Sequence, residues 1–289
     1  MFPGFKDEMI NVGEVRLRVR WAGDGPALLL IHGHPRTAAT WHKVAPALVD
    51  LGYTVVCPDM RGYGGSDAAE VQSDHSQQSK RQVAADLAFM MRELGIDRYV
   101  VAGHDRGCYV GMRMALDHSS HVRGYCALDG VPISDALSQC DVVFATEWFH
   151  WFFFAQPDKP ERAINADPMA WYGESRKQMG SANYEELASA VSDPNTVLAM
   201  LEDYRAGLGV DFDLERLDRE QGRKIECPML FVWAAKEDMT HLYGDPIEIW
   251  SRWCEAVEPR PIDSTHHMSE EAPDELVDAL HSFVSGIDA

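Results

Sequence analysis

Apolar and polar residues alternate over residues 14–20, where every second side chain is apolar. This period of two predicts a strand with one face in solvent. Later apolar stretches are short, unbroken and bounded by turn residues. They are residues 27–31, 53–57, 99–102, 125–128 and 229–233. Unbroken runs of this length are typical of strands that are buried on both faces of a parallel sheet.

Helical stretches separate these runs, notably residues 79–94 and 109–116. Strands that alternate with helices predict an α/β fold with a doubly wound, mostly parallel sheet flanked by helices. The alternation stops after residue 129 and resumes at residue 228. Between these points the chain is aromatic-rich, helical in pattern and interrupted by prolines. We therefore predict a core of residues 1–133 and 218–289, with a helical cap of residues 134–217.

The charge of the chain limits its partners. With 26 Lys and Arg against 46 Asp and Glu, the formal net charge is −20. Nucleic-acid binding needs a basic face, so we expect no nucleic-acid partner. An anionic membrane surface would repel the chain for the same reason. If the substrate is an anion, local cations have to overcome this long-range field.

The remaining composition indicates a cytoplasmic protein. No apolar run reaches the length of about 18 residues that a transmembrane helix needs, and residues 1–8 have no signal-peptide pattern. The six cysteines are scattered, which is typical of reduced thiols in the cytoplasm. Since no metal-binding motif or Cys/His cluster occurs, we expect neither a metal nor another cofactor.

A strand-turn-helix motif supplies the candidate nucleophile. Residues 103–107 read GHDRG and follow the apolar run 99–102. This is the nucleophile elbow G-x-S-x-G with Asp105 in place of serine. Gly103 and Gly107 permit the tight turn that exposes the central side chain. An aspartate before a helix is often an N-cap, but glycines at both required offsets favour the nucleophile.

Aspartate changes the chemistry of the elbow. A carboxylate is already an anion at neutral pH and is a weak nucleophile toward carbonyl groups. It suits displacement at a saturated carbon that bears a leaving group, which gives an alkyl ester on Asp105. Water then hydrolyses this ester at its carbonyl. Haloalkanes, haloacids and epoxides are the substrates that this chemistry allows, and esterase activity is disfavoured.

Partners for the nucleophile follow in the expected chain order. His266 or His267 is the candidate base that activates the hydrolytic water. Two aspartates at strand ends, Asp129 and Asp238, are candidates for the acid that orients it, and the residues alone do not decide between them. Upstream, residues 30–35 place a glycine turn beside the elbow. We assign the backbone N–H groups of His34 and Arg106 to the oxyanion hole, and we expect the His34 side chain to be structural.

Several motifs together resemble the α/β-hydrolase superfamily. They are residues 32–35 (HGHP), 59–64 (DMRGYG), 103–107 (GHDRG) and His266 with residues 271–273 (EAP). Arg106 after the nucleophile, residues 114–118 (MALDH) and the cap segments 148–152 (WFHWF) and 203–207 (DYRAG) are similar to haloacetate (fluoroacetate) dehalogenases. The resemblance covers nearly the whole chain and implies the α/β-hydrolase fold with a helical cap.

The resemblance also implies roles for individual residues. Asp105 would be the nucleophile, His266 the base and Asp129 the acid. Arg106 would bind the carboxylate of the substrate. A halide pocket would be formed by His150, Trp151 and Tyr204, whose N–H and O–H groups replace the water around a departing halide. We expect Trp148 and residues 152–154 to form only the apolar interior of the cap.

One position departs from this family. Members specialised for fluoroacetate carry a second arginine one helical turn after the nucleophile, which completes a clamp on the carboxylate. Here that position is Tyr109. Loss of one charge-assisted contact costs about 1–3 kcal/mol unless another group replaces it. Tyr109, Arg36 and Arg205 are the candidates for that replacement.

These residues predict a hydrolytic dehalogenase of small 2-haloacids, with a homodimer as the assembly that the family suggests. An epoxide hydrolase would use the same Asp-His-Asp set with Tyr172 and Tyr204 as cap tyrosines. A third interpretation is a catalytically silent fold that binds a ligand, although a candidate is present for every catalytic role.

Overall fold

A computed structural model describes residues 1–173 and 175–288. The strands of this part of the chain form a single sheet. They are β1 (Lys6–Asn11), β2 (Arg16–Ala22), β3 (Ala27–Ile31), β4 (Thr54–Pro58), β5 (Tyr99–His104), β6 (Val122–Leu128), β7 (Met229–Ala234) and β8 (Val257–Ile262).

The strand order in the sheet is β1-β2-β4-β3-β5-β6-β7-β8. Strand β2 pairs antiparallel with both β1 and β4, and all other pairs are parallel. The predicted α/β fold with a mostly parallel sheet is therefore confirmed. The prediction did not include β1. Its residues are almost all exposed, so no alternation of buried and solvated positions marks it in the sequence.

Helices surround the sheet and fill the long interval between β6 and β7. They are α1 (Val44–Asp50), α2 (Lys80–Glu93), α3 (Arg106–Asp117), α4 (Ile133–Ser138), α5 (Val142–Glu147), α6 (Phe149–Phe154), α7 (Lys159–Ala166), α8 (Pro168–Tyr172), α9 (Arg176–Met179), α10 (Ser181–Val191), α11 (Pro194–Ala206), α12 (Phe212–Glu220), α13 (Met239–Tyr243), α14 (Pro246–Trp250), α15 (Met268–Glu271) and α16 (Pro273–Asp288). A π-helical turn, Gly207–Asp211, joins α11 to α12.

The apolar core lies on both faces of the sheet. Within β3, Leu28 and Leu30 belong to the cluster that includes side chains of α1 and α16. Leu29 and Ile31 belong to the opposite cluster, which includes side chains of α2 and α3. Both faces are buried, which explains why the strand appears in the sequence as an unbroken apolar run.

Only helices and connecting segments lie between β6 and β7 in the part of the chain that the structure describes, apart from an isolated bridge at Ile225. This agrees with the absence of a strand pattern there, while the exact limits of the core and the cap remain predictions. None of the described helices is long and apolar enough to cross a membrane.

Candidate active site

The turn between β5 and α3 holds Asp105 in an unusual backbone conformation, with φ 52° and ψ −118°. Crowding around the turn explains its glycines. A Cβ at position 103 would lie 2.0 Å from the carbonyl oxygen of Gly107, and one at position 107 would lie 2.5 Å from that of Ile31. Since no real Cβ fits at such distances, the two glycines allow the strained turn that presents Asp105 beyond the end of the sheet.

The Asp105 carboxylate is held by the neighbouring loop. Its Oδ1 accepts a hydrogen bond of 2.7 Å from the backbone N–H of His34. The chain at Gly33 approaches so closely that a Cβ there would lie 2.5 Å from Asp105 Oδ1. One oxygen of the carboxylate is thus bound to an amide donor, while Oδ2 faces His266 Nε2 at 3.8 Å.

His266 follows β8 and lies between two carboxylates. Its Nδ1–H donates to Asp129 Oδ2 at 2.6 Å, and its Nε2 points to the Asp105 side. The Asp129 carboxylate is itself held in place, because its Oδ1 accepts a hydrogen bond of 2.9 Å from the backbone N–H of Ala234. The backbone of Asp129 has a positive φ of 51°. The structure therefore brings together the three residues that the sequence proposed as nucleophile, base and acid.

The two carboxylates control the protonation of His266. Burial disfavours the charged imidazolium, but the hydrogen bond to Asp129 and the negative charges of Asp129 and Asp105 outweigh burial and raise the pKa of His266 to about 9. At neutral pH the ring is therefore protonated.

The alternative acid, Asp238, does not contact His266. Its Oδ2 accepts a hydrogen bond from the indole N–H of Trp148. Geometry thus selects Asp129 as the carboxylate that orients the imidazole. Asp238 instead lies on the wall of the cavity in front of the nucleophile.

That cavity has a volume of about 320 Å³ and lies between the ends of the strands and the helices that follow β6. Its wall combines acidic, imidazole and aromatic side chains. The lining residues are His34, Asp105, Glu147, Trp148, His150, Trp151, Tyr204, Glu237, Asp238, His266 and His267.

The three predicted halide-binding residues lie together on this wall. The ring centroids of His150 and Trp151 are 5.8 Å and 6.4 Å from that of Tyr204. None of the hydrogen bonds among residues 1–173 and 175–288 uses the Trp151 Nε1, the Tyr204 Oη or the His150 ring nitrogens. Burial lowers the pKa of His150 to about 4, so the ring is neutral and keeps one N–H donor.

Arg106 and Tyr109 are not among the residues that line the cavity. The Arg106 side chain is fully buried, and its Nε and Nη2 donate to Asp203 Oδ1 at 2.9 Å and 2.6 Å. Its Nη1 is buried without a partner in the described chain. The Tyr109 ring packs on that guanidinium and on Trp151, behind the cavity wall. The predicted carboxylate-binding role of Arg106 thus remains a prediction, and Tyr109 does not take the place of the second arginine at the wall.

Sequence reasoning missed part of the wall. Trp148 was expected only in the interior of the cap, but it lines the cavity and binds Asp238. Glu147 and Glu237 were not singled out, because an exposed glutamate carries no distinctive local pattern. The His34 side chain lines the cavity as well, and burial lowers its pKa to about 3.

One group of potential metal ligands adjoins the site, namely His104, Asp129 and His266. Their ligand atoms already take part in hydrogen bonds. His266 Nδ1 and Asp129 Oδ2 bind each other, and His104 Nε2 contacts the carbonyl oxygen of His266 at 2.7 Å. This donor set fits an oriented histidine better than a metal ion.

Comparison with known proteins places the chain in a family. Residues 26–273 match the model of the alpha/beta hydrolase fold family. The chain therefore belongs to this family, and it is a hydrolase similar to haloacetate dehalogenases. It is 35% identical to the fluoroacetate dehalogenase of a Burkholderia species, over 99% of this chain and 95% of that protein.

Other similar proteins are also hydrolases, and one of them is named an epoxide hydrolase rather than a dehalogenase. Epoxide hydrolase A of Mycobacterium tuberculosis is 30% identical over 83% of this chain and 69% of its own length. The solved structure of ALR0039 from Nostoc sp PCC 7120 matches with a TM-score of 0.94 and 35% identity, over 98% of this chain and 99% of that one.

Proposed function

We propose that the chain is a hydrolytic dehalogenase that acts on small 2-haloacids through an alkyl ester on Asp105. The observation that carries the proposal is the composition of one cavity. A carboxylate held by a backbone amide faces a charged histidine there, and three donors without protein partners line the same wall.

The first step is displacement of the halide. Because Asp105 Oδ1 is bound to the His34 N–H, Oδ2 is the oxygen free to attack the carbon next to the carboxyl group of the substrate. The new C–O bond forms as the carbon–halogen bond breaks, and the halide takes the bonding electron pair. Donors from His150, Trp151 and Tyr204 then stabilise its charge in place of water.

The second step is hydrolysis of the ester. Alkylation removes the negative charge of Asp105, which lowers the pKa of His266, and the ring passes its Nε2 proton to solvent. The neutral Nε2 accepts a proton from water as that water attacks Asp105 Cγ. Negative charge develops on Oδ1, which the His34 N–H already contacts. The bond from Cγ to the alkyl oxygen then breaks, and this oxygen takes the proton from His266 and leaves as the hydroxyl of the 2-hydroxy acid. The carboxyl group of Asp105 loses its proton to solvent and is again a carboxylate.

Tyr204 also supports a second candidate, an epoxide hydrolase. Its phenol lines the nucleophile cavity without a hydrogen-bond partner in the described chain, so it is available to donate to an epoxide oxygen. Tyr172, the other tyrosine considered for this role, is not among the lining residues. The two functions differ in product, because an epoxide such as styrene oxide gives a diol and no halide.

The test measures halide and glycolate released from chloroacetate and fluoroacetate by the wild type and by Asp105→Ala. We expect both products from the wild type and only background from the variant. In His266→Ala, the first step proceeds and the second stalls, so mass spectrometry should detect one carboxymethyl group on Asp105.

Each alternative predicts a different result. Diol formation from styrene oxide without halide release from either acid would favour the epoxide hydrolase. Tight binding of haloacetate with no adduct on Asp105 would support a silent ligand-binding fold.

A further inference from the structure

None of the three residues considered as replacements for the second arginine lines the cavity. Arg36 is paired with Glu270 at 2.9 Å, and both side chains are buried. Arg205 is paired with two glutamates at 2.7 Å and 2.6 Å. The Tyr109 ring packs behind the wall. Because a carboxylate has two oxygens, a substrate bound by Arg106 needs a donor from another position for the second oxygen.

The His34 imidazole is a donor on the cavity wall that the protein itself does not use. Its Nδ1 is buried without a partner, and neither ring nitrogen takes part in the hydrogen bonds of residues 1–173 and 175–288. Burial lowers the pKa of His34 to about 3, so the ring is neutral and keeps one N–H donor. Since Nδ1 is enclosed, Nε2 is the nitrogen that a molecule in the cavity can reach. An acceptor at Nε2 would fix the proton there.

His34 also lies alongside the line on which the displacement takes place. Its backbone N–H binds Asp105 Oδ1 at 2.7 Å, while its ring centroid is 5.1 Å from that of Tyr204, a proposed halide donor. The halide leaves opposite the attacking oxygen, so Asp105 and the halide donors mark the two ends of this line. The carboxyl group of a 2-haloacid projects sideways from it, which is where the imidazole lies.

Arg106 spans the same interval. It follows Asp105 in the chain, and its Cζ lies 4.3 Å from the ring centroid of Tyr204. Its Nε and Nη2 both donate to one oxygen of Asp203, which leaves Nη1 buried and without a partner in the described chain. Burial is the main cause of the low pKa of His34, and the positive charge of Arg106 contributes to it, as expected for neighbours. Nη1 and the imidazole are thus two free donors beside the same tyrosine ring.

A second neutral imidazole on the wall, His267, is less well placed. Its Nδ1 is likewise buried without a partner, and burial holds its pKa far below the ordinary value. Its ring centroid is 5.2 Å from that of His266 and 6.0 Å from that of His104. Within the part of the chain that the structure describes, no ring contact joins it to a halide donor. His267 therefore lies beside the base and not along the line of displacement.

We propose that the His34 imidazole binds the carboxylate of the substrate together with Arg106 Nη1, and so supplies the contact expected of the second arginine. This inference rests on the proposed 2-haloacid substrate and adds a binding residue for it. His34 then serves twice, because its backbone N–H holds the nucleophile while its ring holds the molecule that the nucleophile attacks.

The first experiment separates the carboxylate contact from the halide contact. Glycolate and chloride are titrated onto the protein while the fluorescence of Trp148 and Trp151, which line the cavity, is followed. His34→Phe keeps an aromatic ring and the backbone N–H but removes the imidazole donor. We expect it to bind glycolate about tenfold more weakly, since a hydrogen bond to a charged group is lost, and to bind chloride as the wild type does. Tyr204→Phe should show the reverse pattern.

Two matched variants control for the loss of the ring. His34→Gln retains an N–H donor at about the reach of Nε2, so its affinity for glycolate should lie within about threefold of the wild-type value. His267→Phe removes an imidazole from the same wall and should leave glycolate binding unchanged. With chloroacetate, His34→Phe should raise KM by about tenfold with little change in kcat, because the lost contact is present in both ground state and transition state.

A measurement on the wild type does not depend on how any variant folds. In ¹⁵N NMR spectra of the imidazoles, saturating glycolate should shift the His34 signals toward the Nε2–H tautomer, while those of His267 stay in place. Unchanged His34 signals at saturating glycolate would contradict the proposed contact.

The remaining outcomes separate the inference from the proposed function. If His34→Phe binds glycolate as the wild type does, weakens glycolate and chloride equally, or resembles His34→Gln, the inference is wrong while the dehalogenase function stands. If glycolate binding depends on His34 but chloroacetate and fluoroacetate release no halide above the Asp105→Ala background, the carboxylate contact stands and the proposed function is wrong.

Discussion

At the scale of single residues, the site depends on two aspartates with left-handed backbone conformations. Asp105 and Asp129 have φ angles of 52° and 51°, and each follows a buried strand. Such conformations are costly for residues other than glycine and persist where surrounding contacts enforce them. Here they direct both carboxylates toward His266, which explains why this histidine is protonated at neutral pH.

The Asp129–His266 pair makes a prediction about pH. Asp129→Asn removes the charge that stabilises the imidazolium, so the pKa of His266 should fall from about 9 toward the ordinary value of about 6.5. A pKa raised in the folded state adds stability below the unfolded value, and this stability is lost as pH rises through about 9. The wild type should therefore be more stable than Asp129→Asn at low pH, and this difference in unfolding free energy should shrink as the pH rises from about 6.5 to about 9.

An NMR titration of the imidazole measures the pKa, and chemical unfolding at several pH values measures the stability. Asp238→Asn is the matched control, since Asp238 lines the same cavity without a bond to His266. If the pKa of His266 decreases more in Asp238→Asn than in Asp129→Asn, the assignment of Asp129 as the orienting acid is wrong.

At the scale of elements, α11 is joined to the sheet-flanking helices by a buried ionic cluster. Asp203 of α11 binds Arg106, the first residue of α3, and Lys80, the first residue of α2. Its Oδ2 also accepts a hydrogen bond of 2.9 Å from the Tyr63 hydroxyl. The cluster holds the helix that carries Tyr204 against the elbow that carries Asp105, so these two side chains keep their relative positions.

Removing the shared carboxylate should destabilise the fold strongly. Asp203→Ala leaves the buried Arg106 without its carboxylate and Lys80 with Asp211 alone, and breaking a buried ion pair in this way costs about 3–5 kcal/mol. Urea unfolding measures the change. Asp213→Asn, at an exposed position on α12, is the control and should change the unfolding free energy by less than about 0.5 kcal/mol. Equal effects of the two substitutions would show that the cluster does not join these helices.

At the scale of the whole molecule, the net charge of −20 opposes the approach of an anion. The effect is long-ranged and is screened over about 10 Å at 0.1 M salt. Hydrogen bonds and charges within the cavity act at contact distance and are screened much less. The global charge thus affects how often an anion reaches the site, while the wall determines what binds there.

Salt should therefore affect an anionic and an uncharged substrate differently. Raising the ionic strength is expected to increase kcat/KM for chloroacetate by a few-fold, because screening weakens the repulsion. For an uncharged substrate kcat/KM should stay constant, which controls for effects of salt on the protein itself. A decrease for chloroacetate with rising salt would indicate that a local positive field attracts the anion.

The sequence by itself determined most strands of the sheet and the elbow, because each leaves a local pattern. Unbroken apolar runs mark strands with two buried faces, and glycines at positions 103 and 107 mark a turn that only they permit. The sequence did not predict strand β1, because its exposed residues have no such pattern.

Only the tertiary structure decided which distant groups meet. It placed Asp129 rather than Asp238 on His266, and it joined Arg106 to Asp203, a residue of the helical segment between β6 and β7. Ion pairs and cavity walls form between side chains far apart in the chain, where periodicity and turn chemistry carry no information. Arg106 is therefore a ready carboxylate-binding group in the sequence, whereas in the folded protein most of its donors are already bound to Asp203.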